Sequence, residues 1–306
     1  MSMDKTPLLV ISGATASGKS ACALEAAKRF NGEIVSVDSM QLYRALPIGT
    51  AQPSAAEKAA VPHHMTGIYE LTERSEVFRF CAEADAAISD ILSRGRLPIL
   101  CGGTGMYLKA LLYGLDDLPG DRELRRELDE KYDSAEGEKA LYARMMKVDP
   151  EGFAKWKDCR RRLIRALEVY LLTGKSIIAL QQGRRQVMRY ETASFVLERE
   201  SGELKERISL RADEMLKNGW IEEAEAAIKK GLFTTPTAHQ ALGYKQIAGF
   251  LQGEFDRKEL HEKICTATWQ YARRQRTWFR HQHPEAEKFC GGVEDLLLRF
   301  LRHETP

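Results

Sequence analysis

A glycine-rich segment near the start of the chain has the composition of a phosphate-binding loop. Residues 13–20 match the pattern G-x-x-x-x-G-K-[ST]. Glycines in such a loop let backbone N–H groups point at phosphate oxygens, Lys19 adds a positive charge, and the Ser20 hydroxyl can bind Mg²⁺. The segment therefore predicts a site for a di- or triphosphate. Its residues are Gly13, Ala14, Thr15, Ala16, Ser17, Gly18, Lys19 and Ser20.

The alternative interpretation of this segment is a chance glycine turn. The flanks favour the phosphate loop, because the apolar run 8–11 precedes it and a helical pattern from 19 to 30 follows. A phosphate loop does not by itself specify a reaction, since it recognises phosphate charge while the groups opposite it decide the chemistry.

Two polar residues stand where such opposing groups are expected. Asp38 ends the second predicted strand and Thr104 follows the third. Ligands of open α/β sheets bind beyond the carboxyl ends of the strands, so Lys19, Asp38 and Thr104 should converge there. Taken singly, Asp38 could instead cap the following turn, and Thr104 could be a local turn hydroxyl.

The elements that position these residues are those of an α/β fold. Short apolar runs predict strands at 8–11, 34–37, 97–101 and 195–197, with a short fifth strand at 288–290. Strand signals vanish between 119 and 191, where helical periodicity dominates. We therefore predict a parallel-sheet core like that of P-loop NTPases, formed by residues 1–118 and 192–306, with an all-helical insertion at 119–191.

The second half of the chain after the fourth strand is rich in helical patterns, and the last long one, from 260 to about 281, is basic. Four arginines in its 271–280 stretch mix with Tyr271, Trp278 and Phe279. Arginines and aromatic residues together fit contact with a nucleic acid, and 160–165 forms a second basic cluster. The alternative is that the aromatic side chains belong to the core.

Bulk composition narrows the class of protein. The net charge is only +2, from 46 Lys and Arg against 44 Asp and Glu, so affinity for a nucleic acid must come from local clusters. The six cysteines lie far apart and form no C-x-x-C pair, which fits a reduced compartment rather than a disulfide scaffold or a zinc site. With no long apolar segment either, we expect a cytoplasmic protein without a membrane span.

Nine segments in a fixed order carry a resemblance to a known family. They resemble the tRNA dimethylallyltransferases over nearly the whole chain, and in ending at Pro306 without the Cys/His spacing of a zinc finger the sequence is similar to the short bacterial members. The segments are GATASGKS (13–20), VDSMQLYR (37–44), IGTAQP (48–53), HH (63–64), GGTGMYLKALLYGL (102–115), RRLIRALEVYLLTGKS (161–176), RADEMLKNG (211–219), LGYKQ (242–246) and YARRQRTWFR (271–280).

The resemblance implies a reaction and its partners. The family transfers a dimethylallyl group from dimethylallyl diphosphate to the adenine immediately 3′ of the tRNA anticodon, uses magnesium, and is monomeric. An adenine amine is a poor nucleophile, so Asp38 is the candidate to accept its proton. Lys19, Thr104 and Arg211 would contact the diphosphate, although Arg211 otherwise looks like an exposed helix arginine.

The resemblance also implies tRNA contacts, some near the phosphate loop and some in the insertion, which it makes the tRNA-binding domain. Arg125 has two arginine neighbours, Arg122 and Arg126, that compete with it for the matching position. The implied contacts are Asp38, Ser39, Met40, Gln41, Thr104, Arg125, Arg161, Arg162, Leu163, Ile164 and Arg165.

Three other functions share parts of this pattern. An enzyme that prenylates free AMP, ADP or ATP would need the phosphate loop and Asp38 but neither the insertion nor the basic helix. A small-molecule P-loop kinase would release ADP. An RNA-binding protein that uses nucleotide only as a switch would have no need of Asp38.

Overall fold

The computed structural model describes residues 8–115, 118–181, 188–283 and 285–304. Residues 302–304 are described by their backbone only. The chain divides into two compact units. The core unit comprises Met1–Gly114 and Met188–Pro306, and the helical unit comprises Leu115–Val187. The predicted insertion, 119–191, is shifted by four residues at each boundary relative to this helical unit.

The core unit contains a six-stranded sheet in which every neighbouring pair is parallel, with the order β3-β2-β4-β1-β5-β6. Five strands match the predicted ones; the two-residue β3 was not predicted, because it is too short to show periodicity. The strands are β1 Leu8–Gly13, β2 Gly32–Ser36, β3 His63–His64, β4 Leu97–Gly102, β5 Thr192–Leu197 and β6 Glu287–Phe289.

Helices account for most of the remaining described chain. Two short 3₁₀ helices, Leu232–Thr234 and Ala238–Gln240, lie between the eleventh and twelfth α-helices. The α-helices are α1 Lys19–Arg29, α2 Ala55–Ala60, α3 Val77–Ser93, α4 Gly105–Tyr113, α5 Arg122–Lys131, α6 Ala135–Val148, α7 Pro150–Trp156, α8 Arg160–Thr173, α9 Ile177–Gln181, α10 Ser201–Lys217, α11 Trp220–Lys229, α12 Tyr244–Leu251, α13 Arg257–Gln282 and α14 Val293–Glu304.

The centre of the sheet is buried on both faces. Every residue of β1 and β4 is buried, which explains why these strands are continuous apolar runs rather than alternating ones. Ser12 is the polar exception in β1, and its hydroxyl donates to the Phe195 carbonyl at 3.2 Å. Because the strands are parallel, the carboxyl ends of β1, β2 and β4 lie at one edge of the sheet.

The long helix α13 packs on the phosphate loop. It begins at a capping box in which Asp256 accepts the N–H of Glu259. Ala272 of α13 is fully buried against Ala14 and Ala16 of the loop, with Leu204 and Ile208 of α10 completing the cluster. This packing brings the basic end of α13 to the same edge of the sheet as the carboxyl ends of the strands.

The helical unit has a core of its own. Helices α5 to α9 bury a cluster that includes Leu128, Leu141, Met145 and Leu167. Helix α8 ends at Gly174, whose φ of +70° is the left-handed conformation that glycine adopts at low cost. No strand occurs among the described residues of this unit, as the helical pattern predicts.

Candidate active site

The phosphate loop joins β1 to α1 with the geometry of an anion site. Lys19 is the first residue of α1, and Gly18 before it has a φ of +96°, which lets the chain turn directly into the helix. The side-chain Nζ of Lys19 donates to the Ala14 carbonyl at 3.0 Å. Backbone N–H groups in the first turn of a helix lack partners within the helix, so this turn can donate to phosphate oxygens.

Three side chains from distant segments hold the loop, and sequence analysis did not predict any of them. Arg207 donates from Nε to the Ala16 carbonyl at 2.7 Å, and Arg199 donates from Nε to the Ser17 carbonyl at 3.1 Å. The Thr15 N–H donates to Oε1 of Gln275 at 2.8 Å. These contacts arise from tertiary packing, which the sequence does not reveal. Of the three residues, Gln275 alone carried a sequence signal, because it lies in the 271–280 motif.

A cavity of about 360 Å³ opens beside the loop. Lys19 and Ser20 line it together with Asp38 and Arg211, so groups from three distant segments face one space. Further lining residues from the predicted site are Thr15, Ser39, Met40 and Gln41. The other loop residues, Gly13, Ala14, Ala16, Ser17 and Gly18, form the turn behind this wall.

Asp38 is held in place by its own turn. Its Oδ1 accepts the backbone N–H of Met40 at 2.9 Å and that of Gln41 at 3.4 Å. The turn-capping role that was the alternative for Asp38 is therefore present, and it occupies one carboxylate oxygen. The second carboxylate oxygen, Oδ2, can still accept a proton from a substrate bound in the cavity. Capping of the turn and proton transfer are therefore compatible roles for Asp38.

Thr104 lies beside the cavity rather than on its wall. Its Oγ1 accepts the N–H of Ser39 at 3.1 Å, which ties the turn after β4 to the turn after β2. Gly102 before it lines the cavity. The structure therefore brings Thr104 next to Asp38, in the arrangement that the sheet-edge argument predicts.

Positive charge is concentrated in the cavity. Burial lowers the pKa of Lys19, and the positive charge of Arg211 lowers it further. Cys101 and Asp38 act in the opposite direction and raise the Lys19 pKa. Burial likewise lowers the pKa of Arg211, and Asp38 opposes this shift. Two cations that are costly to keep charged and lie close together make a binding site for an anion, whose charge would relieve both effects.

Three hydrogen bonds to the protein hold the side-chain amide of Gln41. Its Nε2 donates to the carbonyls of Thr50 and Ala51 at 3.2 and 2.7 Å, and its Oε1 accepts the Ser36 hydroxyl at 2.7 Å. The amide orientation is thus fixed. A ligand in the cavity meets Gln41 as a rigid wall with one carbonyl lone pair still open.

The segment that holds Gln41 is itself anchored by Glu223. This carboxylate accepts the backbone N–H groups of Ile48 and Gly49 at 2.6 and 2.9 Å and the hydroxyl of Tyr244 at 2.6 Å. Sequence analysis missed Glu223, although the IGTAQP motif that it anchors was noted. A helix glutamate gives no sequence signal for such a distant partner.

Helix α13 contributes to the cavity with residues that the sequence placed on an RNA-contacting helix. Thr268, Tyr271, Arg274 and Gln275 line the cavity. Burial raises the pKa of the Tyr271 hydroxyl above its usual range, and the negative charge of Asp38 acts in the same direction. Phe279 is buried, so the alternative interpretation, in which the aromatic residues of α13 belong to the core, holds for this residue.

The predicted arginines of the helical unit differ in their surroundings. Glu168, fully buried, accepts hydrogen bonds from Arg125 and Arg165, and Arg165 also donates to the Pro119 carbonyl at 2.9 Å. Arg161 and Arg162 are exposed. The first pair therefore stabilises the unit, whereas the second pair is available to a partner.

Leu163 and Ile164 also belong to the predicted tRNA-contacting run. Their side chains are buried in the core of the helical unit, at 0% and 1% exposure. Packing explains the burial of these two side chains, and the prediction that residues 163 and 164 contact tRNA stays a prediction. The arginines of the run carry the RNA-binding prediction.

The histidines fill structural positions. His64 hydrogen-bonds through Nε2 to the buried Glu33 at 2.7 Å, and His63 through Nδ1 to the Val61 carbonyl at 2.8 Å. Among the described residues, no three His, Cys, Asp or Glu side chains are grouped so that they could hold a metal ion.

None of the helices in the described ranges has the length and apolarity required to cross a bilayer.

Comparisons with known proteins identify relatives over most of the chain. The model of the IPP transferase family matches residues 41–282, and the model of isopentenyl transferases matches residues 6–66. A tRNA dimethylallyltransferase from Caldanaerobacter subterraneus is 42% identical over 279 residues, 89% of this chain and 88% of that protein. Another, from Methylococcus capsulatus, is 43% identical over 281 residues, 90% of each chain.

Solved structures give the same family. The tRNA isopentenylpyrophosphate transferase from Bacillus halodurans superposes with a TM-score of 0.70 at 34% identity, covering 97% of this chain and 94% of that one. A eukaryotic dimethylallyltransferase acting on tRNA superposes with a TM-score of 0.78 at 29% identity, covering 90% and 70%. Because the family model matches more than half of the chain and relatives above 40% identity cover about nine-tenths of it, the chain belongs to the IPP transferase family.

Proposed function

We propose that this chain transfers a dimethylallyl group from dimethylallyl diphosphate to the exocyclic amine of an adenine in tRNA, at the position immediately 3′ of the anticodon, and releases diphosphate. The observation that carries the proposal is that Lys19 and Ser20 of the phosphate loop line the same cavity as Asp38. Relatives that match about nine-tenths of the chain are named tRNA dimethylallyltransferases.

The donor half of the cavity suits a diphosphate leaving group. As the allylic C–O bond breaks, its electron pair moves to a diphosphate oxygen. The N–H groups at the start of α1, together with Lys19 and Arg211, place positive charge where that negative charge grows. The loop thus binds the group that departs, and no phosphoryl transfer is required of it.

The acceptor half of the cavity supplies a base. The exocyclic amine of adenine shares its lone pair with the ring, so it attacks carbon readily only if its proton can leave. The new C–N bond forms at the allylic carbon as the C–O bond breaks, and the amine proton passes to Oδ2 of Asp38. Oδ1 stays bonded to the turn, which fixes the direction in which the base points.

Magnesium fits the side chains present, provided that it arrives with the substrate. Ser20 offers a hydroxyl ligand in the cavity, and the described residues supply no complete cage of their own. Mg²⁺ is commonly held by one or two protein oxygens together with substrate phosphates and water. When bound, the ion would neutralise charge on the departing diphosphate.

Recognition of tRNA would use both units of the chain. A stacked base must be extruded to reach a cavity, while its flanking backbone is held by cations. Arg273, Arg274 and Arg280 on α13 are exposed, as are Arg161 and Arg162 in the helical unit. A monomer in the cytoplasm is the state that this proposal assumes.

The other functions fit less well. An enzyme for free AMP has no use for the helical unit with its exposed arginines, and a nucleotide switch has no use for a carboxylate fixed opposite the phosphate loop. A kinase would transfer a phosphoryl group from ATP and release ADP. The family match favours prenyl transfer over phosphoryl transfer.

The test is a transfer assay with purified protein, magnesium and radiolabelled dimethylallyl diphosphate, offering unmodified tRNA or AMP. Label in tRNA but not in AMP supports the proposal. Label in AMP assigns the chain to nucleotide prenylation, and ADP release from ATP with a small alcohol assigns it to a kinase. Transfer to neither acceptor overturns the proposal.

A further inference from the structure

Gln275 joins two segments that lie at the edge of the cavity. Its Oε1 accepts the N–H of Thr15 in the phosphate loop at 2.8 Å, and its Nε2 donates to the carbonyl of Gly103 at 2.9 Å. The side chain is 5% exposed, so both bonds are shielded from water. One amide therefore links the loop that faces the donor to the segment that carries Thr104.

Gln275 belongs to a stripe of α13 that covers this segment. A Cβ atom on Gly103 would collide with the Gln275 amide, and one on Gly105 would collide with the Trp278 ring. The Tyr271 hydroxyl lies near Thr104 between them. Residues 271, 275 and 278 follow the i, i+4, i+7 spacing of one helix face, so the segment 103–105 lies directly under that face.

The bond to Thr15 leaves the backbone N–H groups at the start of α1 free to bind phosphate. Lys19, Ser20 and Ala21 open helix α1, and their backbone N–H groups have no partner within the helix. Gln275 holds the loop at Thr15, before this turn. Its amide is thus placed to set the position of the loop without competing for the phosphate.

We propose that Gln275 is a positioning residue that fixes the separation between the phosphate loop and the Thr104 segment, and thereby the distance between the allylic carbon of the donor and the acceptor amine. This inference rests on the proposed transfer reaction. A displacement of about 1 Å between reacting groups can lower a rate about 100-fold without abolishing the binding of either reactant. The expected signature is therefore a loss in kcat rather than in affinity.

The test compares Gln275→Ala with the wild type and with Gln270→Glu, a change on an exposed face of the same helix. Three quantities are measured: kcat and the donor KM for transfer to tRNA, the Kd for inorganic diphosphate by titration calorimetry, and amide hydrogen exchange in the segments 13–18 and 102–106. For Gln275→Ala we expect kcat to fall about 100-fold, with the donor KM and the diphosphate Kd within about threefold of wild type. Both segments should exchange faster, because each loses a hydrogen-bond partner.

Gln275→Glu is the second variant, for the case in which the alanine variant does not fold. It keeps the side-chain volume and still accepts the Thr15 N–H, but it has no donor for the Gly103 carbonyl. Only the segment 102–106 should then exchange faster, and kcat should again fall. The added negative charge is expected to raise the diphosphate Kd as well.

Several results would overturn the inference. One is a kcat for Gln275→Ala within about threefold of wild type; another is a loss confined to the diphosphate Kd, which would make Gln275 a phosphate-binding residue. If the wild type itself transfers no label, the proposed function fails. The exchange measurement then still decides the link between the two segments, since unchanged exchange in Gln275→Ala would exclude it.

Discussion

Replacement of Asp38 by asparagine separates the two roles that the structure gives this residue. The asparagine side-chain oxygen can still accept the N–H groups of Met40 and Gln41, which Oδ1 accepts at 2.9 and 3.4 Å in the wild type. The turn therefore survives while the base is lost. A positioned general base contributes roughly 10²–10⁴ in rate, or about 3–5 kcal/mol of activation free energy, and kcat should fall by that factor.

Binding should respond differently from rate in this variant. Asp38 opposes the positive field of Lys19 and Arg211, so its neutralisation leaves more positive charge for the diphosphate. We expect the donor KM to stay equal or to fall. The assay measures initial rates of label transfer to tRNA over a range of donor concentrations.

A matched control for this variant is Asp256→Asn. Asp256 also accepts a backbone N–H, that of Glu259 at 2.8 Å, but at the exposed start of α13. Its replacement should leave kcat unchanged. The reasoning about Asp38 is refuted if Asp38→Asn keeps kcat within about threefold of the wild type, because a general base cannot be removed at so small a cost.

Three further predictions concern the anion site, the tRNA contact and a buried ion cluster. Lys19→Ala should raise the diphosphate Kd roughly 10- to 100-fold in titration calorimetry, since it removes a charge-assisted hydrogen bond; equal affinity, or the same loss in the exposed Lys28→Ala of the same helix, would contradict this. Arg161→Ala should weaken tRNA binding and reduce the slope of log K against log salt by about one unit in filter binding, whereas an unchanged slope would exclude a phosphate contact. Glu33, buried against Arg94, has its pKa lowered to about 2 from 4.5, so its contribution to stability is present above about pH 4.5 and lost as the pH falls toward 2. Glu33→Gln should lower the free energy of unfolding in urea by about 1–3 kcal/mol near neutral pH, since Arg94 and Arg96 are partly exposed and stay solvated when the carboxylate is lost. The variant should also lose the fall in stability between about pH 4.5 and pH 2, and an unchanged pH dependence would contradict the role of the pair.

Prediction of the fold succeeded where elements are long and buried on both faces. β1 and β4 are continuous apolar runs, and α3 shows helical spacing, so each could be identified from local pattern. β3 was missed because two residues, His63 and His64, carry no period. The order of the strands is a property of pairing between distant segments, which local patterns do not encode.

The convergence of the site residues could be predicted where a motif fixes the backbone by itself. The phosphate loop is such a motif, and the sheet-edge rule added Asp38 and Thr104 to it. Glu223 and Gln275 were missed as parts of the site, because each acts through hydrogen bonds to backbone groups far away in sequence. A side chain that recognises a backbone N–H leaves no complementary residue type to look for.

The sequence by itself determined the phosphate loop, the carboxylate that follows β2, the helical nature of the insertion and the family resemblance. Each of these depends on residues close together in the chain or on motifs in a fixed order. Tertiary structure alone decided that α13 lies over the phosphate loop, that Gln275 links it to Gly103, and that Arg125 and Arg165 stabilise the helical unit through the buried Glu168. These contacts depend on how helices pack in three dimensions, where burial and the satisfaction of hydrogen bonds are settled across the whole unit rather than along the chain.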